Sequence, residues 1–100
     1  IQELEQFNQD ISNWDVSNVT NMQSMFANNY KFNQDISNWD VSNVTDMQTM
    51  FYIHFPSNND NFNQDLSSWN VNNVTECSNF EDGRGNWTLP QPNFTNCNPN

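Results

Sequence analysis

Carboxylates in regular columns are the residues of this chain best placed to do chemistry. Asp10, Asp35 and Asp65 recur at one position of an internal pattern. Asp15 and Asp40, with Asn70 as their third member, recur at another. Stacked oxygens are what a hard cation such as calcium takes as ligands. The spacing is neither that of an EF-hand nor that of a glycine-rich calcium repeat. Two exposed like charges about 4.8 Å apart cost only about 1 kcal/mol in water, so the columns are tolerable without a metal. The aspartates can instead accept main-chain N–H bonds in turns. No metal site is assigned, and calcium is the one candidate ion. His54, the only histidine, has no motif around it. With no nucleophile and base at a recognisable spacing, the chain reads as non-enzymatic.

Two further residue types carry covalent chemistry. Cys77 and Cys97 are the only cysteines, so one intrachain disulfide is expected. Asn18, Asn43, Asn73, Asn86 and Asn93 each begin an Asn-x-Thr acceptor for N-glycosylation. Both features suit an oxidising, extracellular or cell-surface setting. Thr20, Thr45 and Thr75 complete three of these acceptors and also stand where helix caps belong.

The elements that must position these groups come from a repeat. FNQDISNWDVSNVTNMQSMF, Phe7 to Phe26, returns as FNQDISNWDVSNVTDMQTMF, Phe32 to Phe51, and decays in FNQDLSSWNVNNVTECSNFE, Phe62 to Glu81. Such self-similarity predicts coils that bury their apolar sides only against one another. Trp14 and Val16 alternate around Asp15, as in a short strand. Met22, Met25 and Phe26 form a helical stripe, with Thr20 and Gln23 as a capping box repeated by Thr45 and Gln48. The expected fold is an α/β solenoid of about three coils, 7–31, 32–61 and 62–81, in one domain, 1–100. Each coil is a short parallel strand plus a short capped helix. An irregular cap, 82–100, is stapled by Cys97 to Cys77. The Trp14, Trp39 and Trp69 ladder shares its face with Val16, Val41 and Val71 and is expected in the core, not on a sugar-stacking platform.

The second spacing, Phe32 to Phe62, exceeds the first by five residues, all within Tyr52–Asn61. Tyr52, His54, Phe55 and Pro56 in this loop are either a local mini-core or a contact site for a partner. Lys31 and Arg84 are the only basic residues against 12 acids, a formal net charge of -10. A chain so charged cannot neutralise phosphates, which argues against nucleic acid and anionic membrane surfaces. No apolar run approaches the roughly 20 residues of a membrane helix. The sequence begins with Ile1, which is expected of a processed product or an excerpt.

The F-N-Q-D-I-S-x-W-D-V-S-N-V-T-x-M-x-x-M-F unit resembles the repeat of the BspA-like leucine-rich-repeat surface proteins. The likeness covers Phe7 to Phe51 closely and Phe62 to Val74 well. It implies a parallel-strand leucine-rich-repeat solenoid outside the cell, serving adhesion or surface coating, with no enzyme activity. Val19 departs from the pattern, standing where a leucine-rich repeat carries asparagine. Two functions follow as expectations. One is a glycosylated structural module whose copies stack head to tail into a coat or fibre. There the uncovered first coil, shielded only by Ile1 and Leu4, would meet Trp87, Leu89 and Phe94 of the next copy. The other is an adhesin that recognises a surface glycoprotein or glycan.

Overall fold

Each block folds, but not into the two elements its apolar spacing suggests. A computed structural model of the chain describes residues 6–100. Ile1 and Leu4, expected to shield the first coil, lie outside the described residues. Among the described residues there is no helix. Among the described residues, the only extended pairing is two isolated parallel bridges, Asn21 with Asp46 and Asp46 with Glu76. The expected α/β solenoid is therefore wrong, and so is the leucine-rich-repeat architecture.

The reason is where the main-chain donors go. A helix needs each N–H to bond the carbonyl four residues back. Here the N–H groups of Met22, Ser24, Phe26 and Asn28 donate to the carbonyls of Asp46, Gln48, Met50 and Tyr52 in the following repeat, at 2.7 to 3.0 Å. Met47, Thr49, Phe51 and Ile53 donate in the same way to Glu76, Ser78, Phe80 and Asp82. Ser24, Thr49 and Asn79 have φ of 58°, 54° and 55°, left-handed values that interrupt any helix. The capping box does not form: Asn21 Oδ1 accepts from Gln23 N at 2.8 Å and Asp46 Oδ1 from Gln48 N at 2.9 Å.

The expected strand is also replaced by turns. Trp14 N bonds Ile11 O and Val19 N bonds Val16 O, and Trp39 and Val44 repeat both bonds. Asp15 and Asp40 sit inside these turns and accept from Ser17 N and Ser42 N. A repeat is thus a string of tight turns whose remaining hydrogen bonds run to its neighbours.

Packing follows the columns read from the sequence. Phe7, Phe32 and Phe62 stack with centroids 6.4 and 5.9 Å apart. Phe26 and Phe51 stack at 5.3 Å, and the indoles of Trp39 and Trp69 lie parallel at 6.4 Å. Ile11, Met22, Met25, Ile36, Met47, Met50, Leu66 and Phe80 are buried among them. The result is a compact body of 32 × 29 × 24 Å.

The cap closes one end with a partial fourth layer. Thr88 N and Leu89 N bond Asn63 Oδ1, as Asn63 N bonds Asn33 Oδ1 and Asn33 N bonds Asn8 Oδ1. Asn96 Nδ2 bonds Asn72 O, as Asn73 bonds Ser42 O and Asn43 bonds Ser17 O. Trp87 packs edge-on against Phe62 and Phe51, and Phe94 against Phe80. Cys77 and Cys97 are joined, as expected.

Candidate functional site

The two ends of the molecule are unequal, and the first repeat shows it residue by residue. Trp39 and Trp69 are each 4% exposed, whereas Trp14 in the same column is 47% exposed, against the expectation that it is core. Trp39 Nε1 donates to Ile11 O at 3.1 Å and Trp69 Nε1 to Ile36 O at 3.0 Å. For Trp14 no described residue supplies the matching acceptor. Phe7 and Val19 are only partly buried, while Phe32, Phe62, Val44 and Val74 are fully covered. The indole needs a layer in front of it, and the first repeat has none among the described residues.

The main chain tells the same story. Thr45 N donates to Thr20 O and Thr75 N to Thr45 O, each as the next layer's contribution to the one before. Among the described residues, Thr20 N and Asn21 N have no such acceptor. The carbonyls of Asn21, Gln23, Met25 and Ala27 stand where Asp46, Gln48, Met50 and Tyr52 accept their bonds. They receive none from described residues. Of these four residues Asn21 and Gln23 are exposed, whereas Met25 and Ala27 are buried.

The carboxylate columns serve the turns. One oxygen of each of Asp10, Asp15, Asp35, Asp40 and Asp65 accepts the N–H of the serine two residues on. These bonds hold all five below the ordinary carboxylate range: the serine hydroxyl leads at four of them, and the serine N–H leads at Asp10. Asp15 pushes Asp40 slightly back up, which is the like-charge cost of the column. A shallow cavity of about 360 Å³ lies between Asp10, Ser12, Gln34, Asp35, Ser37 and Asn38. Among the described residues, no three of His, Cys, Asp and Glu are grouped to hold a metal ion.

Sequence reasoning missed the buried ion pair. Arg84 and Asp60 are 4% and 3% exposed, and Arg84 Nη1 donates to Asp60 Oδ1. Arg84 Nε donates to Phe51 O at 2.6 Å and Nη2 to Phe26 O at 2.9 Å. The guanidinium also lies near the rings of Phe51 and Phe62. Burial pulls its pKa below the ordinary arginine value, and Asp60 opposes that shift. One side chain from the expected cap thus ties together the inserted loop and the inner carbonyls of two repeats. The signal was the presence of a lone arginine in a chain of acids.

In the inserted loop, Tyr52 Oη and His54 Nδ1 are 2.9 Å apart and His54 packs edge-on against Phe55. Tyr30 Oη donates to Phe55 O, yet the Phe55 side chain is 72% exposed and Pro56 is exposed beside it. Among the glycan acceptors, Asn43 and Asn73 spend Nδ2 on Ser17 O and Ser42 O, each at 2.7 Å. Asn86 spends its amide on Asp60 O at 2.9 Å. Asn18 and Asn93 are exposed with no hydrogen-bond partner among the described residues.

The chain belongs to the family described as Mycoplasma protein of unknown function, DUF285, whose model matches residues 1–86. The match ends one residue before Trp87, where the partial fourth layer begins. No curated protein and no solved structure matches the chain.

Proposed function

We propose that this chain is a non-enzymatic extracellular interaction module that binds a partner through the open edge of its first repeat. The observation that carries the reading is the contrast within one column: Trp14 is exposed where Trp39 and Trp69 are buried and bonded to the repeat before. The same face is covered wherever another repeat stands in front of it, so the indole face of Trp14 is the surface a partner would use. Recognition on a BspA-like surface protein, with glycans on the exposed Asn18 and Asn93, fits this reading.

Head-to-tail stacking into a coat is the second reading. The observation favouring it is that Asn79 and Glu81, at the other end, offer N–H groups that reach no described acceptor, opposite in kind to the carbonyls of the first edge. Weighing against it, Trp87–Cys97 fills the layer that Phe7–Asn18 of an incoming copy would need. The test removes the exposed indole by Trp14→Ala. Labelled native chain should bind cells of its source and the Trp14→Ala chain should not. Equal binding by both would exclude the edge. Light scattering that grows with concentration would favour stacking instead.

A further inference from the structure

We infer that the cleft between the inserted loop and the Glu81–Asn86 turn is a second binding site, for a neutral sugar ring. Glu81, Asn86 and Ser57 take its hydroxyls and Phe55 takes its C–H face. The site shares no residue with the Trp14 face and stands independently of it.

The cleft exists because two segments are pinned together without filling the space between them. Its volume is about 590 Å³, within the roughly 300–1,000 Å³ usual for small-molecule sites. Pro56, Ser57 and Asn58 form one wall, and the turn from Glu81 to Asn86 forms the other. Asp60 of the loop and Arg84 of the turn make the buried ion pair. Asn86 Nδ2 adds bonds to Asn58 O at 3.3 Å and Asp60 O at 2.9 Å. A buried ion pair often adds little stability over apolar packing; this one fixes the spacing of the two walls.

What the cleft offers is acceptors held in place. Both hydrogens of the Asn86 amide are committed to the loop, which leaves Oδ1 as a fixed acceptor. Glu81 stands in the column of Phe26 and Phe51, so a carboxylate replaces an apolar ring there. It is half-buried, and burial, then Asp82, raises its pKa. A donor arriving from a ligand would favour its ionised form. Ser57 Oγ accepts from Asn59 N at 3.1 Å and keeps its O–H to donate.

Beside these acceptors stands an exposed ring. Phe55 precedes Pro56 of the cleft wall and is 72% exposed, yet it is held. His54 packs edge-on against it with centroids 4.4 Å apart, and Tyr30 Oη donates to Phe55 O at 2.7 Å. The negative face of such a ring meets C–H groups favourably, and holding it beforehand lowers the entropy lost on binding.

The combination selects its occupant. Arg84, the one cation of the cleft, is committed to Asp60, Phe51 O and Phe26 O, so an anionic ligand meets no free positive charge. A lone ammonium ion would use the carboxylate and leave the ring and the pinned amide idle. A sugar ring carries an apolar C–H face with hydroxyls around its rim, and a hydroxyl donating to a carboxylate makes a charge-assisted bond.

The test is an NMR titration of the native chain with the methyl glycosides of glucose, galactose, mannose and N-acetylglucosamine, beside glucuronic acid and methylammonium. At least one neutral glycoside should give saturable shifts at Ser57, Glu81, Gly85 and Asn86 at millimolar concentration, with glucuronic acid and methylammonium binding more weakly. Phe55→Ala, at an exposed side chain, should weaken that binding at least about threefold. Glu81→Gln should weaken it at least about fivefold, and Trp14→Ala should leave it unchanged. No saturable shift with any neutral glycoside, shifts centred away from the cleft, or unchanged affinity in either cleft variant would overturn the proposal. Methylammonium binding as tightly as the best glycoside would overturn it too, because Glu81 would then be a simple cation site.

Discussion

Replacing Arg84 by alanine removes more than a charge. The side chain makes three hydrogen bonds, to Asp60 Oδ1, Phe51 O and Phe26 O, and is 4% exposed. Phe26 O keeps a bond from Asn29 N, but Phe51 O loses its donor and Asp60 is left buried without its counter-charge. Breaking a buried ion pair from one side costs about 3–5 kcal/mol. That is a large share of the roughly 5–15 kcal/mol that holds a small domain together. Arg84→Ala should therefore bring the urea midpoint, followed by tryptophan fluorescence with the disulfide intact, close to zero denaturant. Arg84→Lys keeps the charge but not the fork, and should recover only part of the loss. A double-mutant cycle with Asp60→Asn should give a coupling of about 1–3 kcal/mol. A cost for Arg84→Ala below about 1 kcal/mol, or additive single effects, would refute the view that this pair locks loop, cap and core together.

Trp39→Phe should cost about 1 kcal/mol or somewhat more, because it deletes the bond from Nε1 to Ile11 O, whereas Trp14→Phe should leave the urea midpoint unchanged. Reducing the bridge between Cys77 and Cys97, which are 20 residues apart, should lower stability by roughly 3 kcal/mol in matched denaturation curves with and without reductant. Glu81 is raised above the ordinary glutamate value by burial and then by Asp82, so its ionised form opposes folding. Glu81→Gln should stabilise at neutral pH, and the gain should fade as pH falls through the raised value. The five turn aspartates have the opposite sign: their support is complete above about pH 4 and is lost as pH falls through their lowered values, visible as acid-side carboxyl shifts in NMR.

Much of the packing was legible because apolar columns survive whatever the backbone does. Ile11, Met22, Met25 and Phe26 are buried as their recurrence implied, and Cys77 lies under the tail that carries Cys97. The backbone was not legible. The spacing of Met22, Met25 and Phe26 suits a helix, but it equally suits three-residue turns. What decides between them is a left-handed residue at Ser24, where no glycine announces it. The same blindness hid the Asn and Gln of FNQD. Asn8 Oδ1 and Asn33 Oδ1 each take an N–H and a glutamine amide from the next repeat, a use that shows only once the repeats are stacked. The open edge was half visible. The sequence shows that something must come first in a stack, but not that the cap at the other end would be a layer in disguise.

Amide hydrogen exchange on the monomer, read residue by residue by NMR, tests the open edge most directly. Thr45, Asp46, Thr75 and Glu76 all donate to the repeat before them and should exchange slowly. Thr20 and Asn21, in the same columns, should exchange at rates near those of an unstructured chain until a partner is added, and then slow. Protection of Thr20 and Asn21 in the isolated monomer equal to that of Thr45 and Asp46 would mean that the edge is already covered, and would contradict the account.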